Sequence, residues 1–346
     1  MSDQIKMRES NFELLRIVAI LMVIVGHVNG IAFPAMTHSD VVDTPVICFS
    51  RMLLGQFCVV AVDVFILISG YFSIRLKLKS VLNFAYLIFF WRCLTYGGQL
   101  LSGDLEFSLR TLVFGINPLK IWFIRDYITL MIFSPILNAF CDAQRKDSFL
   151  KFIFCYYAIA FVGDFVVPLK LWGLFGAGYS FFGFVGLYLL GRYIRLHGHK
   201  IVDLSVKRHI ANYIVISMAA ALLLFAVMYI TSIRLIVGRM SCFITYYTSP
   251  FVVAAALALF FVFDRISFQN RFVNHVALSV FAVYLSHSPT RWFWRCVRDV
   301  FVQYDSYGWI AVGVFAMIVF VVTILIDQVR IYSWRLFCSM WERIRK

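Results

Sequence analysis

Residues 11–31, NFELLRIVAILMVIVGHVNGI, are long and apolar enough to cross a bilayer as one helix, yet they carry Glu13, Arg16 and His27. An ionisable group at the centre of a spanning helix costs roughly 2.5–3.5 kcal/mol on insertion scales, so such groups face a polar cavity or a partner. At about 100° per residue, the path from Arg16 to His27 makes three turns plus about 20°, and Glu13 lies within about 60° of both. The three therefore share one face. At about 1.5 Å per residue, Arg16 and His27 stand roughly 16 Å apart along the axis, about half the hydrocarbon thickness. In the purely structural reading Arg16 snorkels to the headgroups, Glu13 pairs with it, and His27 hydrogen-bonds another helix.

The rest of the chain agrees with a membrane origin. Of its 346 residues 62% are hydrophobic and only 14% charged, far outside soluble usage. Hydropathy over a window of about 19 residues predicts about ten transmembrane helices: roughly 11–32, 46–70, 80–101, 119–140, 149–168, 171–193, 210–232, 242–263, 273–291 and 308–328. With the N-terminus inside, about 20 basic residues, among them Arg192 as a cytoplasmic anchor and Arg330 in the short basic tail, fall on the cytoplasmic side against about 8 outside, which predicts both termini in the cytoplasm. The fold class expected is an all-α polytopic integral membrane helix bundle, a single domain over 1–346 with no appended soluble domain. The first span is expected to be retained rather than cleaved as a signal peptide.

Composition also excludes several functions. The net charge of +14 sits in short loops between apolar spans rather than on a nucleic-acid-binding face. Eight cysteines without CxxC or Cys/His clustering indicate neither a disulfide framework nor a zinc site, so no metal is expected. His197, His199 and His209 fall in a basic loop without zinc spacing and read as solvated.

Other charged and aromatic residues stand where a membrane protein has to account for them. Asp63 lies in the second span, and the leading expectation pairs it with Arg16, Arg51 or Arg92, ahead of a catalytic role. Arg75, Lys77 and Lys79 form a cationic loop, which serves either as a positive-inside anchor or as a receptor for a phosphate-rich donor. Trp122 opens the fourth span beside Arg125 and Asp126, an ion pair or the edge of a sugar site. His287 ends the ninth span before Pro289 and reaches the same half of the membrane as His27, as a structural cap or a substrate contact.

Five of these spans, in order, resemble the membrane-bound acyltransferase 3 family. The resemblance rests on Arg16, ten residues, then His27; on VDVFILISGYF ending in Ser69-Gly70; on Trp122-Phe123 with Ser134-Pro135; on Tyr188, Gly191, Arg192 and Tyr193; and on Ser279, Tyr284, Leu285 and His287. Relatives often carry two arginines three apart in the loop after the second span, where this chain has Arg75 and Leu78 flanked by Lys77 and Lys79.

The resemblance implies an integral membrane O-acyltransferase of a bacterial cytoplasmic (inner) membrane. It would move an acetyl group from cytoplasmic acetyl-CoA to a hydroxyl of an extracytoplasmic surface polysaccharide or lipid-linked glycan. Arg16 with Arg75, Lys77 or Lys79 would meet the CoA headgroup. His27 would act as general base or as acyl-accepting nucleophile, with Glu13 positioning Arg16. His287, Trp122, Asp126 and Asp63 are the expected acceptor-side residues. The competing function is a proton-coupled transporter or flippase using Glu13, Arg16, Asp63 and His27 as a path. A purely structural bundle is the third.

Overall fold

The computed structural model describes residues 9–166, 174–198, 203–287, 291–303 and 308–344. Helix α1, Ser10–His27, runs into a π-helical turn at Val28–Ala32. Then come α2 His38–Asp43, α3 Pro45–Val59, α4 Ala61–Phe72, α5 Leu78–Leu101, α6 Leu109–Ile116, α7 Trp122–Ala143 and α8 Lys146–Phe161. The second half holds α9 Phe181–His197, α10 Val206–Ile230, α11 Arg234–Thr245, α12 Pro250–Asp264, α13 Arg271–Val276, α14 Val280–His287, α15 Arg291–Gln303 and α16 Gly308–Ile344. The described residues contain no strand.

Local chemistry sets many of these ends. Ser180, Ser205, Ser249 and Asn270 each accept a hydrogen bond from a first-turn backbone N–H, so α9, α10, α12 and α13 start on a side-chain cap. Pro45 and Pro250 open α3 and α12, where a missing N–H costs nothing.

Among the described residues, seven helical segments are long and apolar enough to cross a membrane: 10–32, 45–72, 122–143, 146–166, 206–230, 234–264 and 308–343. All seven were among the ten spans expected. The third, sixth and ninth also exist as helices, but α5 carries polar groups such as Lys79, Asn83 and Arg92, α9 has only 17 residues, and the ninth is divided into α13 and α14. The junction expected at 168–170 lies outside the described residues. Large apolar side chains such as Phe154, Ile230, Ile310 and Leu325 stand exposed on the bundle's outside, as lipid contact requires.

Helix α1 is central, packing against α3, α4, α12, α13, α14 and α16. The closest crossing is that of α4 on α9. A Cβ at Gly70 would collide with the Tyr188 carbonyl, and one at Gly191 with the Leu67 carbonyl, so each backbone fills the space the other's glycine leaves. Gly191 thus belongs to the core of the bundle as well as to its rim.

Three expectations are corrected here. Arg192, read as a cytoplasmic anchor, is buried and ion-paired with Asp142. His209, read as solvated, is fully buried against Phe261. The last span, expected to end near 328 with Arg330 in a solvated tail, continues unbroken to Ile344, and Arg330 lies inside. Its charge is tolerated because Asp327, one turn earlier, accepts from Arg330 Nε at 2.8 Å and Nη2 at 2.7 Å. Trp91 Nε1 and Ser279 Oγ also donate to Asp327, at 2.9 and 2.7 Å.

Candidate active site

The shared face of α1 opens into two cavities, one near each end of the helix. The first, about 610 Å³, is lined by Arg16, Arg75, Ser80, Asn83 and Tyr127 together with aromatic side chains. Glu13 holds Arg16 at 2.7 Å, and the guanidinium lies 5.9 Å from the Phe72 ring centre. Arg16 therefore stays at the cavity wall as a positioned cation. Arg75 joins it there, whereas Lys77 and Lys79 do not line this cavity. Lys79 pairs with Glu342 at 3.5 Å, in a separate surface groove beside Trp334 and Trp341.

The second cavity, about 390 Å³, is lined by His27, Asn29, Arg51, Trp122, Tyr179 and Tyr247 among others. Trp122 packs 4.7 Å from Tyr179 and is stacked on Tyr247 at 5.9 Å and 22°. Flat aromatic faces of this kind suit the apolar face of a sugar ring. Between the two cavities lies a void of only about 40 Å³, walled by apolar groups of Ile20, Val23, Val62, Phe65, Phe123 and Phe281 among others. Ile20 and Val23 lie on α1 between Arg16 and His27, so the helix runs along the whole path.

Behind His27 sits a cluster of three nitrogen-bearing rings. His287 is 5.2 Å from His27 between ring centres, Trp294 is 6.0 Å from His27 and 6.2 Å from His287, and Trp294 meets both imidazoles edge-on. His287 Nδ1 bonds the Val283 carbonyl. A carbonyl only accepts, so Nδ1 carries the hydrogen, and Nε2 is the acceptor atom of the neutral ring. His27 Nδ1, His287 Nε2 and Trp294 Nε1 are all buried without a hydrogen-bond partner. Native interiors leave few such atoms, because each costs about 1–3 kcal/mol, and three in contact mark a place built for something else to bind.

The remaining expected residues lie elsewhere. Asp126 is buried and held by its neighbour Arg125 at 2.9 and 3.0 Å, lining neither cavity. Asp63 is fully buried, and neither of its oxygens has a hydrogen-bond partner, which overturns the expected arginine pairing. Arg16 is taken by Glu13, while Arg51 bonds Asn29 and the Pro34 carbonyl instead.

The model of the acyltransferase 3 family, described as an acyltransferase domain, matches residues 9–326. The chain belongs to the acyltransferase 3 family. No curated protein and no solved structure matches it. The match takes in both cavities and the His27 cluster, and it makes the chain a multi-pass membrane acyltransferase.

Two parts of this candidate site escaped the sequence reading. Trp294 lies on α15, a short amphipathic helix whose Trp294, Val297 and Phe301 point inward at helical spacing. That periodicity was the available signal. Tyr179 and Tyr247 join Trp122 from the loops before α9 and α12, and no spacing in the sequence links them.

Proposed function

We propose that this acyltransferase moves an acetyl group from acetyl-CoA to a hydroxyl of a surface polysaccharide or lipid-linked glycan, with His27 as general base. The observation that carries the reading is the pair of cavities at the two ends of one helix face. One holds the positioned cations Arg16 and Arg75, suited to the phosphates of a CoA headgroup. The other holds an imidazole and an aromatic platform, suited to a sugar. The extended pantetheine arm would cover the roughly 16 Å between them, through the apolar void once its side chains part.

His27 takes the hydroxyl proton as the sugar oxygen adds to the thioester carbon. Trp294 Nε1–H, the unpartnered donor, hydrogen-bonds the carbonyl oxygen as it gains negative charge. His27 then returns the proton to sulfur as the C–S bond breaks, giving the ester and free thiol. His287, whose Nδ1–H is held by the Val283 carbonyl, packs against the His27 ring and supports it by contact. In this reading one domain of the bacterial inner membrane carries the whole reaction, with both termini and the Arg16 cavity cytoplasmic and the His27 cavity outside. Lys77 and Lys79 act as anchors at the cytoplasmic rim.

The test is CoA-dependent thiol release in membranes carrying the native chain or His27→Ala, with mass spectrometry of the surface glycans from the same cells. Acetyl groups on the glycans and thiol release should both be lost in the variant, at unchanged protein level and melting temperature. Normal thiol release by His27→Ala removes it from the mechanism, and acceptor movement without any thiol release favours transport.

A further inference from the structure

The cavity that holds His27 has a charge of its own. Among the described residues that line it, Arg51 is the single cation, and there is no aspartate or glutamate. Arg51 stands on α3, half-buried, against the segment that follows His27. Its Nη2 donates to the Asn29 carbonyl at 3.2 Å and to the Pro34 carbonyl at 2.9 Å, its Nε reaches Asn29 Oδ1 at 3.5 Å, and its guanidinium lies 5.3 Å from the Phe33 ring centre. Five donors are available on a guanidinium. These bonds fix its plane and use Nε and Nη2, leaving Nη1 without a protein acceptor at the cavity.

A second guanidinium grips the same segment from the other side. Arg298, exposed on α15, donates to the Ile31 carbonyl at 3.1 Å, and among the described residues it forms no ion pair. Ile31 lies two residues from Asn29, so at about 3.5 Å per residue the two guanidiniums bind carbonyls within roughly 7 Å of each other. Two guanidiniums bound to one short segment give this side of the molecule a positive field that an anion would answer. The acid whose charge reaches Arg51 is Asp40, but its carboxylate is bonded by Thr37, whose N–H and hydroxyl donate at 2.8 and 2.7 Å. Those two bonds first, and the Arg51 charge to a lesser degree, hold Asp40 below the usual carboxylate range, and the carboxylate closes the capping box of α2 without a hydrogen bond to Arg51.

We infer that the acceptor is an anionic glycan, with a carboxylate or phosphate that pairs with Arg51 inside the cavity, while Arg298 on the neighbouring segment adds to the attraction. The inference rests on the reading of this cavity as the acceptor site. The planar fork of Arg51 suits an oxyanion in two-point contact, and its hydrogen bonds to the backbone fix its direction before any ligand arrives. The aromatic faces of Trp122 and Tyr247 would then stack on the sugar that bears the charge, setting its hydroxyl toward His27. Either a uronic-type sugar or the phosphate of a lipid carrier would supply the anion.

The test is direct binding by the full-length protein in nanodiscs, by calorimetry at low salt, with glucuronic acid, glucose 1-phosphate and glucose. At least one anion should bind about tenfold more tightly than glucose, and the better of the two identifies carboxylate or phosphate as the source. Arg51→Gln should abolish the preference, Arg51→Lys should keep part of it, and Arg298→Gln should weaken it by a smaller factor. The lysine variant and Arg298→Gln keep the test readable if Arg51→Gln does not fold. Anions that bind no better than glucose, or a preference that survives Arg51→Gln, overturn the inference. A normal anion preference with no thiol release by the native chain would leave the anion site standing and remove acyl transfer instead.

Discussion

Asp327 with Arg330, and His27 with His287, are two polar pairs sunk in the same bundle and treated in opposite ways. Asp327 is 0% exposed and Arg330 3%, yet the carboxylate receives Trp91, Ser279 and two guanidinium nitrogens. The imidazoles touch each other and Trp294, and each leaves a buried nitrogen unanswered. A saturated network locks one arrangement of helices, because every group in it would be stranded in any other. An unsaturated one keeps donors and acceptors in reserve for atoms that arrive with a substrate. Asp327 thus ties α5, α16 and the turn before α14 together, while the imidazole pair belongs to the site proposed to act on ligands.

The largest effect should come from breaking the saturated side. Asp327→Ala leaves Arg330 buried and unpaired, so thermal unfolding in nanodiscs should show a loss of about 3–5 kcal/mol. Replacing both residues by Leu and Met of similar volume should cost far less, since no charge is stranded. Trp294→Phe should do the reverse: transfer falls by about 10²–10³, equivalent to roughly 2.7–4 kcal/mol of barrier, while the melting temperature holds. A rate unchanged by Trp294→Phe would put the indole among the packing residues and end its role as donor.

The smallest effect falls on the residue that fits neither group. Asp63 is as buried as Asp327 but receives no hydrogen bond, so Asp63→Asn removes no pairing and should shift unfolding by less than about 1 kcal/mol. A loss as large as that of Asp327→Ala would mean that Asp63 acts through a partner and that the division drawn above is false.

Much of this was legible in the sequence, and the limit is instructive. The common face of Glu13, Arg16 and His27 followed from helical angles alone, and the long apolar runs became helices, with the first, second and seventh close to their expected ends and the last running well past its own. Local periodicity carries that information. The Asp327–Arg330 pair was hidden because hydropathy falls where charge begins, and an arginine just past an apolar run looks like an anchor until its partner is seen one turn away. Asp63 was matched to an arginine on charge alone, which says nothing of which way its helix faces. Trp294 needed the folding of α15 back over the turn after His27, a contact between residues more than two hundred and fifty apart in the chain.

The void of about 40 Å³ between the two cavities has an electrical meaning. A space this small with apolar walls stays dry, and a dry constriction carries neither a chain of water nor an ion. Moving one charge across a membrane held at 100 mV is worth about 2.3 kcal/mol, so a wet path beside Arg16 and His27 would let that energy drain away. In the proposed reading, Phe65, Phe123 and Phe281 on the walls of this void would keep the bundle an insulator. In the proposed reaction the acetyl group would cross this barrier as part of an uncharged thioester arm, and the membrane would keep its potential while its outer surface is being modified.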